Sequence, residues 1–396
     1  MTISTLTFQT NALAEMEALE TAMTQTQTEL STGSKLPNAA ADPAATEQVN
    51  QLNMTLAASQ QYVSNGTAAT ANLQLEQSAL TSATNALQSA RDLAVEANNG
   101  ALSATDRQDI ATQLQQLQNA LLGAANSTDP AGNYLFAGTA SGTQPFAQTG
   151  SSVSYQGDSQ VNQVQIAADQ SVSAGDSGSS VFMNIPAGNG TFTTAAAAAN
   201  TGSASIDAGS VTNPAAWVPD TYTIEFTSPT QYQVTDSAGN VVVPATTYTS
   251  GQAITFNGIE ATVSGTPNAG DEFTVAPAGQ ASIFSTIGNL ISTLNSTTLT
   301  SAQVTTQIGT AVTQMDNALN NFDDVQASVG GRLNAISAAG TGAQSTQTQL
   351  QGTISTLSDT DYAAATTQLS TEELALQAAQ ESYASIAKLS LFNYVN

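Results

Sequence analysis

YAAATTQLSTEELALQAAQESYASI, residues 362–386, is the stretch on which the reading of the fold turns. Tyr362, Leu369, Leu376 and Tyr383 recur every seventh residue, while Ala365, Ala379 and Ile386 form a second row interrupted by Glu372. Two rows at that spacing place a narrow apolar seam along a helix, the pattern by which one helix lies along another. The sequence then runs to LSLFNYVN, residues 389–396, although only 5% of all residues are aromatic. Chain ends are usually polar and frayed, so an apolar tip asks for a partner.

The other end carries a weaker version of the same pattern. Leu6 and Leu13 fall at one heptad position, Met16, Met23 and Leu30 at the other, with Glu20 and Gln27 interrupting the first row. Gly33 and Pro37 break this helix. Asp42-Pro43 starts the next, with a carboxylate at the N-cap and proline where its missing N–H costs nothing. That helix runs to about Asn98, with Leu73, Leu80, Leu87 and Ala94 on one row and Ala83, Ala90 and Ala97 beside it. Ser103 and Asp106 resemble a capping box, and Ile110, Leu114, Leu117, Leu121 and Ala124 make the stripe of a further helix.

From Tyr134 to about Ala278 the period shortens to that of strands, in YTIEF, QYQV, AITF and GIEATV. Asp236–Asn240 reads as a hairpin loop, Asn257-Gly258 as a type I′ turn and the alanine run 195–199 as a linker. Helical spacing returns at Ser282. A long helix starts near Ser301 and carries Val304, Ile308, Met315, Phe322, Val329 and Ile336; Gly330-Gly331 within it predicts a kink or a close helix approach.

The expected fold is therefore α+β: a long antiparallel helical bundle or coiled coil formed by both chain ends, with a β-rich insertion in the middle. The expected organisation is an N-terminal assembly segment 1–35, rod halves 36–140 and 281–357, β-rich insertion 141–280, and a C-terminal assembly segment 358–396. Burying the five apolar residues of the tip contributes roughly 10 kcal/mol, whereas ordering eight backbones costs roughly 8–16. A lone subunit gains little from fixing the tip, and neighbours that supply more surface change the balance. The competing reading makes the tip a plug in its own core; two heptad ends brought together favour assembly. The expected interface is Leu6, Leu13, Met16, Met23, Leu30, Leu369, Leu376, Tyr383, Ile386, Leu389, Leu391, Phe392 and Tyr394.

Composition excludes much else. Net charge is −25, and the five basic residues are Lys35, Arg91, Arg107, Arg332 and Lys388, so the cation clusters that nucleic acid requires are absent. With no His and no Cys, neither a Ser-His-Asp unit nor a zinc site of the usual kind is available, and no disulfide or cofactor is expected. Glu225, Glu260, Asp271 and Glu272 are read as strand and loop acids rather than a catalytic pair, and Asp236 with Asn240 as a turn rather than a metal loop. Arg91, Arg107 and Arg332 are expected to pair with acids in the helical part. No apolar run approaches a membrane span, and the first residues predict no cleaved secretory signal.

LSTGSKLPNAAADPAA at 30–45 resembles the flagellin superfamily, whose members join a Leu-Ser-(Thr/Ser)-Gly stretch to an Asp-Pro or Asp-Asp-Ala helix start. NNGALSATDR (98–107), ANSTDPAGNYLFAGTASGTQPF (125–146) and the LSLF ending are similar to the hook-associated protein 3 family within it. The 219–277 stretch resembles a β module of several hook-associated proteins. The resemblance implies a non-enzymatic, extracellular flagellar subunit at the hook–filament junction. Its implied partners are hook-associated protein 1, flagellin, like subunits in a ring, the flagellar type III export apparatus and an export chaperone. Flagellin itself is the alternative, and an adhesin or enzyme displayed on flagellin-like ends the third reading; NYLFAG and LSLF separate the first from the second.

Overall fold

Helices, then strands, then helices follow one another along the chain in a computed structural model that describes residues 5–40, 42–150 and 152–392, with side chains described over 7–40, 42–150 and 152–385. Helices α1 (Thr5–Thr32), α2 (Pro43–Ala97) and α3 (Ala104–Ala125) come first. Two small hairpins follow, β1 (Phe146–Thr149) with β2 (Ser152–Tyr155) and β3 (Gln163–Ala167) with β4 (Gln170–Ser173). Next come β5 (Ile185–Pro186), β6 (Phe192–Ala196), β7 (Ser205–Ile206), β8 (Ser210–Val211), β9 (Tyr222–Ser228), β10 (Gln231–Thr235) and β11 (Val241–Thr247). The strands end with β12 (Ala253–Phe256), β13 (Ile259–Ser264), β14 (Glu272–Pro277) and β15 (Gln280–Ala281). Helices α4 (Ile283–Leu294), α5 (Ser301–Ser358) and α6 (Tyr362–Phe392) complete the chain. It is α+β with helical ends, and it divides into two compact units, residues 1–64 with 339–396 and residues 65–338.

Local chemistry sets the element ends. The Asp42 carboxylate accepts from the Ala44 and Ala45 amides, both at 3.0 Å, and Pro43 opens α2. Ser103 and Asp106 form the full capping box of α3. Within the larger unit, α2 and α5 run antiparallel: Gln326 donates to the Thr84 hydroxyl at 3.2 Å, and Arg91 pairs with Asp316. Leu73, Leu80 and Leu87 are fully buried, as are Met315, Phe322 and Val329. Gln118 of α3 donates to the Phe284 carbonyl of α4 at 2.9 Å.

Five phenylalanines, Phe136, Phe146, Phe182, Phe284 and Phe322, close this core with no exposed surface. Phe182 sits at their centre, its ring centroid 5.2 Å from Phe136, 5.4 Å from Phe146 and 5.3 Å from Phe322, each edge to face. Such offset arrangements suit the ring quadrupoles. The phenylalanines of NYLFAG and QPF are thus core residues.

The β module pairs two antiparallel sheets, one in the order β11-β10-β9-β14-β6 and the other β12-β13-β7, with β8 also on β13. Strand alternation turns Tyr222, Ile224 and Phe226 of β9, Phe273 and Val275 of β14 and Ile259, Ala261 and Val263 of β13 into a common core. The Asp236 side chain accepts from the Ala238 and Asn240 amides at 3.0 and 2.7 Å, forming the hairpin loop. Asn257 and Gly258 both take positive φ, 44° and 76°, as a type I′ turn requires.

Three readings are corrected. Ala195 and Ala196 end β6, paired with Thr274 and Phe273, rather than lying in a linker. Gly330 and Gly331 lie inside continuous α5 with open space where a Cβ would point, so they mark no close helix approach. Arg107 donates to the Leu102 carbonyl at 3.4 Å instead of pairing with an acid, and Arg332 pairs with Asp176 in the loop after β4 rather than with an acid of the helices.

Candidate assembly surface

The smaller unit is built on the turn between α1 and the 34–40 loop. Gly33 ends α1 with φ +72°, a left-handed conformation that glycine adopts without Cβ strain. The Gly33 amide donates to the Glu29 carbonyl at 2.8 Å, and its carbonyl accepts from the Thr360 amide at 3.0 Å. Two residues further along, the Lys35 amide donates to the Ser358 carbonyl at 2.7 Å. The Thr-Gly-Ser of the 30–45 stretch therefore fastens the end of α1 to the start of α6. From that point α1 and α6 run antiparallel along each other. Hydrogen bonds from Ser355 and Ser358 hold the Asp359 carboxyl at this junction below the usual carboxylate range.

On α1 the half-buried positions are Gln9, Ala12, Met16, Leu19, Ala22, Met23, Thr28, Glu29 and Leu30, with Thr26 only 3% exposed and its hydroxyl donating to the Ala22 carbonyl. Met16, Met23 and Leu30 occupy one seam row as the periodicity predicts. The second row is Ala12, Leu19 and Thr26, not the row of Leu13. Leu13 stands 51% exposed. On α6 the row of Leu369, Leu376 and Tyr383 is half-buried, and Ala365, Glu372 and Ala379 form the other, while Tyr362 is exposed. Glu372 accepts from Gln368 at 2.9 Å through Oε1, and its Oε2 is buried without a partner.

Leu6, Ile386, Leu389, Leu391 and Phe392 fall in helices, but their side chains, and all of Tyr394, lie outside the described residues. Phe8 (42% exposed) and Leu374 (67%) escaped the sequence reading because each lies off the heptad rows. Although it is the smaller unit, residues 1–64 and 339–396 hold five of the eight large apolar side chains that stand exposed among the described residues: Phe8, Leu13, Met54, Tyr362 and Leu374. Scattered exposed apolar residues are ordinary, but their concentration in one small unit makes that unit the candidate for contact with other chains.

The acids of the β module are held in structural roles. Asp271, 2% exposed, accepts from the amides of Thr201 at 2.8 Å, Gly202 at 3.1 Å and Asn268 at 2.8 Å. Glu260 accepts from Ser210 and Glu225 from Gln233, both at 2.8 Å, and Glu225 faces Glu272 across β9 and β14. Among the described residues no three acidic side chains are placed to hold a metal, and no helix is long and apolar enough to cross a membrane.

Comparison with known proteins separates the helical ends of the chain from the β module. Residues 3–141 match the bacterial flagellin N-terminal helical region, residues 312–395 the bacterial flagellin C-terminal helical region, and residues 195–277 the D2-like domain of flagellar hook-associated protein 1. Flagellar hook-associated protein 3 of Escherichia coli (strain K12) is 37% identical over 157 residues, which is 40% of this chain and 49% of that protein. The chain thus spans about half the length of this curated relative. The crystal structure of Xanthomonas campestris FlgL superposes with a TM-score of 0.72 at 34% identity, over 77% of this chain and 99% of that one. The flagellar junction protein FlgL of Legionella pneumophila gives 0.71 at 35% identity, over 79% and 100%.

Proposed function

This chain belongs to the flagellar hook-associated protein 3 family, and on that premise we propose that it joins the flagellar hook to the filament as a ring of like subunits, between hook-associated protein 1 and flagellin. It is a structural protein rather than an enzyme. The observation that carries the reading is the antiparallel α1–α6 pair. Its seam takes up Met16, Leu19, Met23, Leu369, Leu376 and Tyr383, while Phe8, Leu13 and Leu374 stay outside it. Subunits that cover those side chains on one another gain burial that the free subunit lacks. The interface extends to Leu6, Ile386, Leu389, Leu391, Phe392 and Tyr394. The organisation is proposed to follow function, with 1–35 and 358–396 as assembly segments, 36–140 and 281–357 as the rod and 141–280 as a β-rich insertion. Delivery outside the cell is by the flagellar type III apparatus with an export chaperone.

Electron microscopy of a strain lacking this gene tests the proposal. Hooks without filaments, with filament protein lost to the medium and attachment restored by the full chain, are the expected result. Filaments still seated on hooks would refute it, and loss of the filament protein itself would turn the reading to flagellin.

A further inference from the structure

We propose that the buried Glu76 of α2 holds a proton, and that beside Asp176, in the loop after β4, and Arg332 of α5 it forms a proton-dependent clasp holding the 173–178 loop onto the helices. Glu76 is 1% exposed, and no hydrogen bond of ordinary geometry reaches either of its carboxyl oxygens, the side chain and backbone of Asp176 being its polar neighbours. It lines a cavity of about 220 Å³ together with Asn72, Asp129, Asn133, Leu135, Gly175 and Asp176. The loop lies close: a Cβ added at Gly175 would sit 3.6 Å from Glu76 Oε2 and 3.8 Å from the Leu135 carbonyl oxygen.

The single cation here is already committed. Arg332 Nη1 donates to the carbonyls of Ser173 at 3.3 Å and Gly175 at 3.1 Å, and Nη2 pairs with Asp176. One guanidinium between two carboxylates leaves an uncompensated negative charge in a buried place, where ions are costly. A proton removes that charge and turns Glu76 into the donor that the surrounding acceptors lack. Burial first, then the charge and hydrogen bond of Asp176, push the Glu76 carboxyl up to about 9 against the opposing pull of Arg332. The other ionisable groups lining the cavity are Asp129 and Tyr134. Asp129 is tied down by the Ala131 amide and by the amide and side chain of Asn133. Although Glu76, Asp129 and Asp176 line one cavity, no three acidic side chains among the described residues are placed to hold a metal ion together.

The sign follows from the raised value. The clasp's contribution is complete below the ordinary carboxyl value of 4.5 and is lost progressively as pH rises towards about 9. Infrared difference spectra of the full chain, wild type and Glu76→Gln, titrated from about pH 6 to 10, test this together with melting curves over the same range. A protonated-carboxyl C=O band at neutral pH, absent from the variant, and a wild-type melting temperature that falls with pH more steeply than the variant's are expected. The infrared titration of the wild type stands even where the variant folds poorly. Absence of that band at neutral pH, or parallel melting profiles, would overturn the proposal. So would a melting temperature raised by calcium in wild type alone, which would put a cation where the proton is placed.

Discussion

Replacing both Leu13 and Leu374 by Ser separates the two faces of the α1–α6 pair. Full burial of a leucine side chain contributes roughly 2 kcal/mol. Leu13 is 51% and Leu374 67% exposed, so half to two-thirds of that is still available for a neighbouring subunit to recover. Covering both contributes about 2–3 kcal/mol per subunit, so the double variant should bind its neighbours about 30- to 150-fold more weakly. In the free subunit it removes only the smaller, already covered share, about 1.5 kcal/mol in all. The control is Leu19→Ser with Leu376→Ser, since both residues lie in the seam. That pair should cost the free subunit about 3 kcal/mol and speed amide exchange throughout α1 and α6. Incorporation is read by co-sedimentation with hooks isolated from the deletion strain, and stability by hydrogen exchange on the free subunit. Normal incorporation of the Leu13/Leu374 variant, or exchange as fast as in the seam variant, would refute the assignment of faces.

Three further outcomes follow from the same structure. Phe182→Ala should cost the larger unit about 3–5 kcal/mol in denaturant titration, because it empties the centre of the five-ring cluster. Residues 185–281 should fold alone, with a β-type circular dichroism spectrum and a cooperative melt, since Ile185 pairs with Ala281 and the sheet core lies between them. Assembly should be stronger in about 0.5 M than in about 0.02 M salt by sedimentation, because salt screens repulsion between subunits of net charge −25.

What the sequence made legible was local. Large side chains every seventh residue gave α6, and turn chemistry gave the Asp236–Asn240 loop and the Asn257-Gly258 turn before any coordinates. The pairing of β6 with β14 was not legible, because Thr194 and Val275 meet only after the module closes, and nothing near Thr194 specifies that partner. The aromatic cluster was hidden for the same reason: Phe136, Phe146, Phe182, Phe284 and Phe322 come from separate segments. Glu76 was readable in part. It lies three residues after Leu73 and four before Leu80, on the face those leucines bury, and a lone acid there is a sign of special chemistry.

The displaced row on α1 carries the argument from fold to function. Periodicity assigned the second seam row to Leu6 and Leu13 because leucine is the stronger signal, and then needed Glu20 and Gln27 as interruptions. Moving the row back by one residue removes both interruptions: Ala12 and Leu19 are half-buried, and Thr26 satisfies its hydroxyl within the helix. Small residues at seam positions let two helix backbones come close without depending on large side chains. Leu13 is then left over on α1, as Leu374 is on α6 beside a seam row that includes Glu372. A helix pair selected only for the stability of one subunit would place its leucines inside and its acid and threonine outside. Leu19, Leu30, Leu369 and Leu376 do lie in the seam, but Leu13 and Leu374 stand exposed while Thr26 and Glu372 are covered, a distribution that fits a pair whose further apolar contacts are made by a second copy.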